Sequence, residues 1–242
     1  MEQDKQNIER LDWDSQHFSL TIGKFSIASE EDISFIPKLN HLAGEGNYDL
    51  VYVFSDFNLS SKKVITEGLK LVDKKVVFTK SISCLESQKL DLSYLHSYSG
   101  DGNNIRLESI AFESGKYSRF KIDNKFPAGS FESMYSLWLS RSIKRIIADD
   151  VIVYIYKDEI LGLLTYKIHN DVCVIGLIGV YPKSQNRMIG THLIAKLEFD
   201  LKNKGINKIE VATQLDNEIA CRFYKKNYFK IKEIKYIYHL WI

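Results

Sequence analysis

Apolar and polar residues recur in two rhythms along this chain. Residues 20–27, LTIGKFSI, alternate with a period of two, as a half-buried strand does. DLVYVFSD (49–56) is a second strand candidate, rich in Val, Tyr and Phe, and VDKKVVFTK (72–80) a third. Between them SKKVITEGLKL (61–71) has helical spacing around Val64 and Leu69, broken by Gly68. Downstream, residues 131–147 place Phe131, Met134, Leu137, Trp138, Ser142 and Ile146 on one helix face. Residues 151–182 divide at two polar turns, KDE and HND, into a meander of three antiparallel strands. Residues 188–205 return to helix, with Ile189, Leu193, Leu197 and Leu201 in one stripe and Gly205 as its stop. A strand over 206–214 follows, then a helix over 217–227 capped by Asp216, then an alternating tail, YFKIKEIKYIYHLWI. The order helix, three strands, helix, strand, helix, strand predicts a mixed α/β class.

The small, polar SYSGDGNN (97–104) reads as a loop. A domain boundary is expected there, with a smaller N-terminal α/β domain over residues 1–100 and a larger domain over 101–242. Residues 49–80 repeat the strand–helix–strand order of 207–240 without matching it in sequence, which suggests a degenerate half-copy.

Composition narrows the function classes. The 242 residues are 45% hydrophobic and 26% charged, so long disordered tracts are excluded. The formal charge is only +2, and the lysines from 202 to 235 are interrupted by Glu210, Glu218 and Glu233. A solvated face explains them, and no nucleic-acid partner is expected. Cys84, Cys173 and Cys221 show no CxxC spacing, and no histidines pair at ligand spacing, so no metal is expected. The polar N-terminus lacks a signal-peptide core and no run of about 18 apolar residues occurs, so a cytoplasmic protein without a membrane partner is expected.

The candidate chemistry lies at GLIGVYPKSQNRMIGTHLIAKL (176–197), where a buried strand meets Pro182, a polar basic turn and a helix. Unpaired N–H groups and the helix dipole make such a turn an anion site suited to a pyrophosphate. Gly190 would let the ligand approach the backbone closely. N–H groups near Gly179–Tyr181 are candidates to polarise a carbonyl. In SGKYSRFKIDNKFP (114–127), Tyr117, Arg119 and Phe120 interleave rings with cations, suiting a sugar nucleotide, although Phe120 and Phe126 also suit the core.

This turn resembles motif A, Q/R-x-x-G-x-G/A, of the GCN5-related N-acetyltransferase (GNAT) superfamily, with Gln185, Asn186, Arg187, Met188, Ile189 and Gly190 in its slots. A second landmark, N-x-x-A-x-x-x-Y, is matched by Asn217, Ala220 and Tyr224. Met188 and Tyr228 stand where the family usually has glycine; Met188 is expected to turn into the core. The runs LDWDSQHF (11–18), SGKYSRFKIDNKFP and YHLWI look like the TDP-fucosamine acetyltransferase type. The resemblance implies the GNAT fold, a mostly antiparallel mixed sheet flanked by helices. It implies acetyl-CoA as co-substrate, held by Ile178, Gly179, Val180, Gln185–Thr191 and Asn217, with Tyr224 as general acid. It implies direct transfer to the amine of a nucleotide-linked, dTDP-type amino-dideoxysugar for surface polysaccharide. A peptide acetyltransferase and a non-catalytic acetyl-CoA binder stay open as alternatives, as do a homodimer and the identity of the general base.

Overall fold

The structure, a computed structural model, describes residues 7–59, 68–82, 91–100 and 104–242. Its strands are β1 (Glu9–Arg10), β2 (Ile22–Ile27), β3 (Leu50–Ser55), β4 (Leu69–Ser81), β5 (Leu95–Ser97), β6 (Asp150–Tyr156), β7 (Glu159–His169), β8 (Val172–Val180), β9 (Lys208–Gln214) and β10 (Lys230–Trp241). They form one sheet in the order β1-β2-β3-β10-β4-β9-β8-β7-β6-β5. Among the described residues, only β2–β3 and β8–β9 pair in parallel. The helices are α1 (Asp12–Phe18), α2 (Ile36–Glu45), α3 (Ile105–Gly115), α4 (Arg119–Ile122), α5 (Ser130–Ile143), α6 (Ile189–Asn203) and α7 (Glu218–Lys226). This is the mixed, mostly antiparallel sheet expected.

Strand alternation sorts the core onto two faces. Leu50, Tyr52, Val151, Val153 and Leu163 join the side chains of α1, α3, α4 and α5 on one face. Their neighbours point the other way. Val51 and Val53 meet α2, and Ile152 and Leu164 meet the stripe of α6. The β6–β7 and β7–β8 turns use Lys157, Asp158, Asn170 and Asp171, all at φ between 45° and 63°, the left-handed geometry that tight hairpins need.

The sheet has an internal two-fold order. Each half has a parallel pair joined by one helix, β2-α2-β3 and β8-α6-β9, and each then sends a third strand across to the other half. Thus β10 pairs with β3, β4 pairs with β9, and β4 and β10 pair with each other at the centre. The sheet is therefore continuous across residue 100. The halves differ in one respect that matters. β2 and β3 stay paired from Ile22–Leu50 to Ile27–Ser55, whereas β8 and β9 part.

Several expectations shift. Residues 61–67 lie outside the described residues, but Leu69–Leu71 are strand, not helix, because Leu69 pairs with Leu240. Gly68 makes the preceding turn at φ 83°. Helix α5 ends at Ile143, and the left-handed Arg145 turns the chain so that Ile146 is 51% exposed and leaves the apolar face. Asn217, not Asp216, caps α7, its side chain accepting the Ala220 N–H at 3.1 Å.

Candidate active site

Parallel pairing of β8 and β9 runs from Val172–Lys208 to Ile175–Val211 and stops. β8 continues to Val180, still paired to β7, and β9 continues to Gln214. A register shift between β7 and β8 coincides with the parting. There Thr165 Oγ1 accepts the Leu177 N–H at 2.9 Å, and such a bulge bends the strand. A cleft of about 500 Å³ opens between the diverging strands. The Tyr181 N–H donates to Leu161 O at 2.9 Å. By the pleat, Gly179 faces β7 as well, and Ile178 and Val180 present their free N–H groups to the gap. The candidate carbonyl donors are thus Ile178 and Val180, not Gly179 and Tyr181.

Helix α6 starts at the mouth of the cleft. Its first internal bond is the His192 N–H to Met188 O, so the N–H groups of Ile189, Gly190 and Thr191 have no partner within the helix. Met188, at the cap, offers no side-chain acceptor. Asn186 and Met188 both adopt left-handed φ, 63° and 58°, curling the turn into a concave row of N–H groups. This arrangement fits a pyrophosphate. Met188 does not enter the core as expected; it is 53% exposed, at the cleft rim. Tyr228 likewise has φ 67° and 76% exposure. Both slots where the family favours glycine are therefore left-handed positions filled here by L side chains.

Gly190 serves a different contact from the one expected. A Cβ there would lie 2.9 Å from the Phe223 ring, so the glycine lets α7 pack against the start of α6. Through that contact α7 lines the opposite wall with Asn217, Ala220, Phe223 and Tyr224. Tyr224 is 3% exposed and held by the rings of Phe78, Phe223 and Phe229 at 5.3–5.6 Å. Burial raises its pKa well above that of a free phenol, so the hydroxyl stays protonated at neutral pH.

The cleft therefore gathers Ile178, Gly179, Val180, Gln185, Asn186, Met188, Ile189, Gly190, Thr191, Asn217 and Tyr224. Arg187 points to solvent outside it. Tyr117, Arg119 and Phe120 do not line it either. Phe120 plugs the core between Phe18, Phe126 and Trp138. Arg119 lies over the rings of Phe120 and Tyr52, at 4.4 and 4.9 Å. Tyr117 sits under Lys116 on the adjacent turn. Asp123 ties the run to the C-terminal strand, its Oδ2 accepting from His239 Nδ1 at 2.5 Å and Trp241 Nε1 at 2.9 Å. Burial pushes the His239 pKa down to about 4. Burial alone would raise the Asp123 carboxyl, but the hydrogen bonds from His239 and Trp241 outweigh it and hold it well below the usual range. Sequence reading missed Tyr135 and Gln214, which complete the inner wall. Gln214 stands three residues before Asn217 of the second landmark, where its neighbourhood could have been read; Tyr135 looked like one more helix-face aromatic.

Residues 120–229 match the acetyltransferase (GNAT) family. Among curated proteins the chain is similar to the spore coat polysaccharide biosynthesis protein SpsD of Bacillus subtilis, 24% identical over 140 residues, covering 58% of this chain and 48% of that protein. The matches span about half the length of the curated relatives. In fold it is similar to a GCN5-related N-acetyltransferase from Kribbella flavida, with a TM-score of 0.56, 10% identity, and 90% and 80% of the two chains covered. It is also similar to a functionally unknown conserved protein from Staphylococcus epidermidis, with a TM-score of 0.59, 14% identity, and 91% and 84% covered.

Proposed function

We propose, on the premise that residues 120–229 belong to the GNAT acetyltransferase family, that this protein is an acetyl-CoA-dependent N-acetyltransferase acting on the amine of a nucleotide-linked amino-dideoxysugar. The observation that carries the proposal is the parting of β8 and β9 beside an uncapped helix start. The N–H groups of Ile189, Gly190 and Thr191 would hold the pyrophosphate, and Ile178 and Val180 the thioester carbonyl oxygen. Acetyl-CoA supplies the activated acetyl group.

The chain's own residues would then do three things. Ile178 and Val180 stabilise charge growing on the carbonyl oxygen, in a site fixed before the reaction. Asn217, its oxygen committed to the α7 cap, has its side-chain N–H groups free to orient the pantetheine arm. Tyr224 gives its proton to the sulfur as the C–S bond breaks. Two observations support a sugar nucleotide as acceptor. One is the similarity to a polysaccharide biosynthesis protein. The other is that LDWDSQHF, the 114–127 run and YHLWI meet as one unit around Phe18, Phe126 and Trp241. The test is thiol release from acetyl-CoA across a panel of amino-sugar nucleotides and amine-bearing peptides. Turnover confined to nucleotide sugars is expected; turnover confined to peptides would overturn the acceptor class.

A further inference from the structure

Behind the inner wall of the cleft lies a set of polar groups that the fold leaves incomplete. Asp73 on β4 is 5% exposed, and its Oδ1 has no hydrogen-bond partner. The Tyr52 hydroxyl faces Arg119 and Asp14, yet neither it nor the buried Arg119 Nε makes a hydrogen bond of ordinary geometry. Buried polar atoms in native proteins are nearly always paired. This cluster from β3, β4 and α4 is poorly satisfied by its own members, and the bare Asp73 Oδ1 marks a place where a ligand can supply a partner.

The cluster adjoins the cleft. Gln214 lines the cleft and its side chain approaches the Asp73 carboxylate. Tyr135 lines it too, and its hydroxyl feels both Arg119 and Asp73. The strand exchange produces this neighbourhood: β4, from the N-terminal half, pairs along β9 up to Lys75–Gln214, which leaves Asp73 just beyond that end.

We infer that Asp73 is the group that receives the acceptor's ammonium and takes its proton, with Tyr52 and Arg119 bonding the acceptor's neighbouring hydroxyl or carbonyl oxygens. The inference rests on the N-acetyltransferase reading above. One proton passes from the ammonium nitrogen to the Asp73 carboxylate. The nitrogen lone pair forms the C–N bond to the acetyl carbon as the C–S bond breaks. The thiolate leaves with the Tyr224 proton. The second nitrogen proton goes to solvent, which also reprotonates Tyr224 and takes the proton held on Asp73.

The charges facing Asp73 suit this role. Burial lifts its pKa to about 6, against the lowering effects of Arg119 from α4, Gln214 and Lys75, with Asp216 adding a small rise. Asp14 of α1 interacts with the Tyr52 hydroxyl and with Arg119, and adds its negative charge to the cluster. A carboxylate near 6 is a better base than an ordinary one, yet remains ionised at pH 7.

The experiment compares wild type with Asp73→Asn, which preserves shape, using a dTDP-linked amino-dideoxyhexose and acetyl-CoA. kcat/KM is expected to fall at least about a hundredfold. The limb of the wild-type pH profile near 6 should vanish, while Asp73→Glu retains a limb. Calorimetry should show unchanged acetyl-CoA affinity and at least about tenfold weaker acceptor binding. If Asp73→Asn does not fold, Tyr52→Phe, which keeps its ring, should still weaken acceptor binding about tenfold with acetyl-CoA affinity intact. Retained kcat/KM with the same limb, or unchanged acceptor binding in either variant, would overturn the inference. So would a wild type that acetylates only amines whose rates are insensitive to Asp73. A wild type that binds no acetyl-CoA would instead remove the reading beneath it.

Discussion

Replacing Tyr224 with phenylalanine separates chemistry from packing. The ring contacts to Phe78, Phe223 and Phe229 survive the change, since only the oxygen is removed. Folding stability should therefore change by less than about 1 kcal/mol, within the range of volume-conserving swaps. What is lost is the hydroxyl proposed above to give its proton to the sulfur. A thiolate of pKa about 8.5 leaves poorly without one, and general acid catalysis contributes about 10²–10⁴-fold. Turnover should fall at least about a hundredfold, close to 3 kcal/mol of barrier at about 1.4 kcal/mol per tenfold. The assay is continuous detection of free thiol, with a urea melt and an acetyl-CoA titration as controls. Because burial keeps the Tyr224 phenol protonated, wild-type kcat should show no loss from this group as pH rises to 9. Near-wild-type turnover in the variant, with chemistry rate-limiting, would refute the acid role.

Other sites give independent checks. Asp123→Ala orphans the buried donors of His239 and Trp241, at about 1–3 kcal/mol each, so a lowered urea midpoint is expected; an unchanged one contradicts the tie between α4 and β10. His239 binds its proton less readily folded, at about 4, than unfolded, at 6.5. Its contribution is fully present above pH 6.5 and is lost as pH falls toward 4; in an NMR titration its ring signals should stay flat from pH 7 to 5. Gly190→Leu drives a side chain into Phe223 and should cost about 1–3 kcal/mol as well as acetyl-CoA affinity; unaltered stability and affinity would show that α6 and α7 do not depend on that contact. Tyr228→Gly relieves a left-handed L residue worth about 1–2 kcal/mol, partly offset by glycine's chain entropy; a loss above about 1 kcal/mol would argue against that conformation.

The meander was legible because its turns, KDE and HND, supply residues that tolerate left-handed φ between clean alternating runs. The α6 stripe was legible because Leu193, Leu197 and Leu201 all recur at helical spacing and are all buried. Strand exchange was not, since a period of two states which face a residue takes and not which strand lies beside it. β4 and β10 carry no mark of crossing between halves. The packing of Gly190 was not legible, because a glycine at a helix start suits a ligand or a neighbouring ring equally well, and only the fold brings Phe223 there. Asp73 was illegible for another reason: it lies in LVDKKV, which reads as a strand with solvated charges, and nothing in that run marks Asp73 as buried at 5% exposure. Arg119 was legible as a candidate for acceptor contact, but its place beside Tyr52 depends on β3, far away in sequence.

The central claim is that the gap between β8 and β9 receives acetyl-CoA, phosphates at the start of α6. Isothermal titration of the full chain with acetyl-CoA tests it most directly. The account predicts one site per chain with a Kd in the range of about 1 μM to 1 mM typical of enzyme substrates, and markedly weaker binding by Gly190→Leu. A folded wild-type protein that gives no binding heat at millimolar acetyl-CoA would contradict it.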